Sequence, residues 1–141
     1  MKILFLDDSY EILDSFGKIL TDMELPFVIC YDIFSADQAW EKGDIDVIIT
    51  DLNIPTNGLS DSEIELTHGS LLTGWVWLAT HVCRGAYHPV LERTIVFSDY
   101  LSDAVDAINR YHVCDNLFSS VKRISKTNYQ EILYIIGAWN K

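Results

Sequence analysis

The chain has 141 residues, 49% of them hydrophobic, which is enough to bury one core and leaves little room for a second domain. Its 21 acidic against 10 basic residues give a formal net charge of −11, a surface that repels phosphate backbones and argues against nucleic acid as a partner. No apolar run approaches the roughly 20 residues of a membrane span, and acids interrupt the opening MKILFLDDS too early for a secretory signal, so no membrane partner is expected and the expected location is cytoplasmic.

Residues 2–6 (KILFL) form a short apolar run ended by two aspartates, the pattern of a strand buried on both faces. From Ser9 the spacing turns helical: Ile12, Leu13, Phe16, Ile19 and Leu20 recur on one face, with Ser9 placed as the N-cap. After Pro26 a second strand is predicted over 27–31, and Ser35 with Gln38 reads as a capping box for a short helix closed by Gly43. Residues 46–51 (DVIITD), β-branched and ending in an acid, make the clearest strand. Trp75, Leu78, Ala79 and Val82 mark a third helix bounded by Gly85, and 94–98 (TIVFS) a fourth strand. Leu101, Val105 and Ile108 mark a fourth helix, followed by a weaker strand around 121–125. In the last helix Asn128 and Glu131 make a capping box ahead of the stripe Tyr129, Ile132, Leu133, Ile136 and Trp139.

Strand and helix alternate throughout, which implies an α/β fold: a doubly wound parallel sheet of five strands with helices on both faces. One stretch breaks the rhythm. Residues 56–72 (TNGLSDSEIELTHGSLL) far exceed the usual connection of about 2–6 residues. Too polar to read as a core element, the stretch is expected to be a lid or docking element, or else a mobile insertion. A smaller excess lies around 112–120. Cys30, Cys83 and Cys114 sit in apolar surroundings and read as buried thiols. His81-Val82-Cys83 and His112-Val113-Cys114 repeat a His-x-Cys unit. Residues two apart on a helix do not face each other, so zinc is not expected. Trp75, Trp77 and Trp139 read as packing residues.

In an open parallel sheet, ligands bind beyond the carboxyl ends of the strands, where the strand order reverses. Asp7 and Asp8 end the first strand and Asp51 the third. In the flavodoxin-like order 2-1-3-4-5 these strands are neighbours, so three carboxylates converge. Like charges that close disfavour ionisation. A hard cation such as magnesium, which takes one or two carboxylates plus phosphate oxygens, removes the conflict.

LFLDDS followed by DVIITDLNIP resembles the acid pair and phosphoacceptor strand of response-regulator receiver (CheY-like) domains of two-component signalling, with Pro55 at the family's turn proline. The resemblance implies a (βα)5 flavodoxin-like sheet over residues 1–141, with an insertion at about 56–72. It implies a phosphoryl group on Asp51 and magnesium held by Asp8, Asp51 and the Asn53 backbone carbonyl, with Asp7 reaching the metal through water. Ser98 matches the family's hydroxyl residue. For its lysine, Lys126 in RISKTNYQEIL is favoured, with Thr127 in place of the family's proline and Lys122 as the alternative. A histidine kinase or phosphotransfer protein would be the donor, and another protein the downstream target. Two departures stand out: Asp99 follows Ser98 where the family has a small residue, and Arg123 stands where many receivers carry a switching aromatic.

The expected function is therefore a stand-alone receiver, not an enzyme, which accepts a phosphoryl group in a magnesium-dependent phosphorelay and signals by protein–protein interaction. The alternative is a degenerate receiver acting as a phosphorylation-independent interaction module, which Asp99 and Arg123 favour. An aspartyl phosphohydrolase ranks last, because that class needs a second acid two residues after the nucleophile, where Asn53 stands.

Overall fold

The three inner strands are four-residue apolar stretches buried at every position, whereas the two edge strands are partly exposed. Helices of strong periodicity separate them, and only a right-handed crossover returns the chain to the same sheet. The computed structural model describes residues 1–111 and 119–141. Strands β1 (Ile3–Leu6), β2 (Phe27–Cys30), β3 (Val47–Thr50), β4 (Thr94–Phe97) and β5 (Lys122–Ile124) form one parallel sheet in the order β2-β1-β3-β4-β5. Helices α1 (Tyr10–Asp22) and α6 (Tyr129–Trp139) cover one face. Helices α2 (Ile33–Glu41), α4 (Thr73–Trp77) and α5 (Leu101–Tyr111) cover the other. The period of two divides each strand between two cores. Ile3 and Phe5 pack with Leu13, Phe16, Ile132 and Ile136, whereas Leu4 and Leu6 pack with Ile33, Ala36, Trp75 and Val76.

The capping signals were legible in part. Ser9 caps α1, accepting from the Ile12 amide at 3.5 Å. Helix α2 starts earlier than Ser35 with Gln38 implied: Asp32 is its N-cap, accepting from the Ser35 amide at 2.8 Å, while the Ser35 hydroxyl returns to the Asp32 amide at 3.4 Å. Asp32 lies just before the apolar Ile33, so the box closes one turn ahead of the expected one. At α6, Asn128 makes no side-chain cap bond. The chain enters that helix through a 3₁₀ turn, Lys126–Asn128, which Ser125 caps instead.

The long connection after β3 is not a loop of polar decoration. It holds an additional helix, α3 (Asp61–Leu66), capped by Ser60 with Glu63 as the reciprocal partner. Leu59, Thr67 and Leu72 are buried in the sheet's second core layer or against it. Its composition misled because the few apolar side chains point inward at irregular spacing. Gly58, at φ +104, passes so close to α2 that a Cβ on it would lie 2.9 Å from Ile33. Helix α4 then runs on into a π-wound turn, Leu78–Val82, and Gly85 follows at φ +82.

Trp75 and Trp77 are fully buried and Trp139 is half-buried, as packing residues should be. Cys30 and Cys83 are buried. Cys114, the His112-x-Cys unit and most of the excess before β5 lie outside the described residues. No helix among the described residues is long and apolar enough to cross a membrane.

Candidate functional site

Register delivers the acids to one place. Leu6 pairs with Thr50 across β1 and β3, so the next residues, Asp7 and Asp51, leave neighbouring strands side by side. Their amides continue the ladder: Asp7 N–H donates to Cys30 O at 3.1 Å and Asp51 N–H to Leu6 O at 2.9 Å. Asp8 follows at the surface, and one carboxylate oxygen from each of Asp7, Asp8 and Asp51 lies within 4.8 Å of the others. Asp7 is fully buried and Asp51 almost so, at 5% exposure.

One further side chain joins the cluster from the far edge of the sheet. Lys126, beyond the end of β5, places Nζ 2.8 Å from Asp51 Oδ2 and 3.0 Å from Asp7 Oδ2. The first contact is a hydrogen bond. The second is an ion pair outside hydrogen-bond geometry, so the buried Asp7 Oδ2 accepts no hydrogen bond among the described residues. Ser98 directly follows β4, fully buried, and its Oγ accepts from the Tyr100 amide at 3.1 Å. Lys122, the alternative lysine, and Arg123 are exposed on β5. Asp99 is exposed beside Ser98.

The electrostatics follow from burial. Desolvation pushes the Asp7 carboxyl above its ordinary value, the Ser9 amide bond at 2.9 Å opposes this, and the Asp51 charge adds to the rise. Desolvation would lower the Lys126 ammonium, but its bond to Asp51 and the two nearby carboxylates outweigh it and hold the value high. The three carboxylates thus have one ammonium among them, in contact with two. The formal excess is two negative charges, matched by a divalent cation. The donor set is all carboxylate oxygen, the hard ligands that magnesium takes, and Asp7 Oδ2 is a buried acceptor still able to bond. The residues present therefore fit magnesium.

Asp51 Oδ1 is held by its own following turn, accepting from the Leu52 amide at 2.6 Å and from the Asn53 amide at 3.4 Å. Several contacts here were missed in the sequence because each spans a long separation. The Ser70 hydroxyl donates to Asn53 Oδ1 at 2.9 Å across 17 residues. The Gly74 amide donates to Leu52 O at 3.0 Å, and a Cβ on Gly74 would overlap the Asp51 carbonyl oxygen. His81 stands between two carboxylates, with Nδ1 2.9 Å from Asp37 of α2 and Nε2 2.9 Å from Glu63 of α3. Trp77 Nε1 also donates to Asp37, at 2.8 Å. His81 is thus engaged on both ring nitrogens.

No family model matches the sequence, and no curated protein matches it. Solved structures do. Over 97% of this chain and 91% of the other, the chain is similar to a signal receiver domain of an HD domain-containing protein from Pseudomonas fluorescens, at 18% identity and a TM-score of 0.60. It is similar at 20% identity and a TM-score of 0.58 to a CheY-like response regulator receiver domain protein from Methanospirillum hungatei, covering 97% of this chain and 90% of that one. The fold is that of a response-regulator receiver. A third structure with this receiver fold, response regulator protein TrrA from Thermotoga maritima in complex with Mg(2+)-BeF, matches at 15% identity and a TM-score of 0.56 over 97% of this chain and 96% of that one. The strand order and helix layers expected from the sequence agree with this fold. At these identities the likeness extends to the fold and not to individual site residues.

Proposed function

We propose that the protein is a phosphoacceptor receiver in a magnesium-dependent phosphorelay, signalling through protein–protein contact as a stand-alone domain. The observation that carries this reading is the cluster of Asp7, Asp8 and Asp51 with Lys126 bonded to Asp51, at the switch point of a receiver sheet. An Asp51 oxygen attacks phosphorus of a phosphohistidine on a donor kinase or phosphotransfer protein. The P–N bond breaks, the imidazole nitrogen departs with its electron pair and takes up a proton, and Asp51 becomes an acyl phosphate. Asp8, Asp51 and the Asn53 carbonyl would hold magnesium, with Asp7 behind them. When bound, the ion supplies positive charge to the transferring oxygens.

Lys126 neutralises Asp51 beforehand and is close enough to follow the new phosphoryl oxygens. The Ser98 hydroxyl accepts from Tyr100, which leaves its own hydrogen for donation to a phosphoryl oxygen. A shift of Ser98 would pass to the half-exposed Tyr100, and so to a downstream target. Beside Lys126, a groove of about 420 Å³ lined by Ile12, Ile19, Phe97 and Tyr129 offers the donor an apolar seat.

The test is incubation with magnesium and acetyl phosphate. One acid-stable, base-labile phosphoryl group should appear by intact mass, and should be absent in Asp51→Asn and in chelator. A phosphorylated histidine or serine in its place overturns the mechanism. A second reading, the phosphorylation-independent interaction module, is favoured by exposed Asp99 beside Ser98, whose charge opposes an incoming phosphoryl group. It predicts no modification, and partner binding that Asp51→Asn leaves unchanged.

A further inference from the structure

We infer that Ser70 is a positioning residue for the metal-binding turn at residues 51–53, so that the α3–α4 segment sets how tightly the pocket holds magnesium. The inference rests on the phosphoacceptor reading above.

The first observation is backbone conformation. His68, Gly69 and Ser70 follow one another at φ 50, 72 and 73, and two of them carry a Cβ in the left-handed region. Such a run persists only where the surroundings hold it, and it marks a place where geometry has been fixed against local preference. The second observation is what holds it. The Ser70 amide donates to Thr67 Oγ1 at 3.2 Å, and Ser70 O accepts from Thr73 Oγ1 at 3.0 Å. Thr67 and Thr73 are both buried, so this frame belongs to the core.

The frame aims one group at the pocket. The Ser70 hydroxyl donates to Asn53 Oδ1 at 2.9 Å, while the Asn53 amide leans toward Asp51 Oδ1 at 3.4 Å. Four residues on, Gly74 grips Leu52 O from the same side. The turn that must present an oxygen to the metal is therefore pinned at its side chain by Ser70 and at its backbone by Gly74. Partners behind a metal ligand govern affinity by fixing its orientation, and their loss weakens binding about tenfold or more.

Calorimetric titration of the full chain with magnesium chloride, against sodium chloride at matched ionic strength, tests the inference. Ser70→Ala and Ser70→Gly should each weaken magnesium about tenfold. Ser70→Gly relieves the left-handed strain, so its metal-free melting temperature should equal or exceed the parent's, separating positioning from folding. Asn53→Ala keeps the backbone carbonyl but removes the acceptor, and adding Ser70→Ala to it should weaken binding no further. Unchanged magnesium affinity in both Ser70 variants, or full additivity with Asn53→Ala, overturns the inference while parent binding keeps the phosphoacceptor reading. Absence of magnesium binding by the parent overturns both.

Discussion

Asp7 carries the sharpest conflict in the molecule. It is fully buried, its Oδ2 accepts no hydrogen bond among the described residues, and desolvation and Asp51 raise its carboxyl above 3.8. A carboxyl raised by folding is ionised at a cost to the fold. Its contribution is greatest below pH 3.8 and declines as pH rises through the folded value. At neutral pH without metal, Asp7→Asn should therefore melt a few degrees above the parent and lose most of the magnesium-dependent rise, as read by calorimetry in chelator and in magnesium. A lower melting point in chelator would mean that the Lys126 ion pair outweighs desolvation. Gly74 poses a steric limit instead. A methyl group there would overlap backbone at Asp51, which no side-chain rotation relieves. Gly74→Ala should cost about 3 kcal/mol or more in denaturant unfolding.

Helix α3 has six residues, none of them buried, and a helix that short is marginal alone. Its attachment comes from the Ser60–Glu63 capping box and from His81, which ties Glu63 to Asp37 of α2. Burial raises the Glu63 carboxyl, but the Ser60 amide, the Thr80 and Ser60 hydroxyls and the His81 charge prevail and bring it from 4.5 to about 2. A carboxyl lowered by folding stabilises above its unfolded value, and that stability disappears as pH falls from 4.5 to about 2. Between those limits, amide exchange at residues 61–66 should accelerate before exchange in the sheet. Glu63→Gln should flatten that acid dependence. His81→Ala should loosen α3 at neutral pH by about 1 kcal/mol, measured by the same exchange, because two carboxylates lose a partly buried partner. Equal protection of α3 in the variant would show that Leu59, Thr67 and Leu72 hold the segment unaided.

Over the whole chain the net charge of −11 opposes compaction, and the acid cluster concentrates that repulsion at one end of the sheet. Sodium chloride should raise the melting temperature gradually through screening. Magnesium at equal ionic strength should raise it further, following the linkage expected for a site in the folded state alone. Replacing Asp8 with Ala should leave the sodium response intact and remove the added magnesium response. Equal sodium and magnesium curves for the parent would reduce the acid cluster to general electrostatics.

Much of this was written in the chain because it depends on neighbours in sequence. Strand length, the 3.6-residue stripes of α1 and α6, and aspartates at the ends of β1 and β3 are local patterns, and the alternation of elements prescribes the parallel sheet that aligns them. Other features depend on residues brought together only by folding. Lys126 and Lys122 are indistinguishable in composition, and the path out of β5 places Lys126 on Asp51 and leaves Lys122 exposed. The cap of α2 passed to Asp32 because helix initiation follows the chain's exit from β2, which the Ser35 pattern alone does not record. Residues 56–72 looked like a polar loop because Leu59, Thr67 and Leu72 follow no period. Their burial exists only once α2 and α4 stand beside them. Ser70 on Asn53, and His81 on Asp37, span 17 and 44 residues. Local spacing carries no trace of such pairs, because a hydrogen bond across that distance is a property of the assembled core.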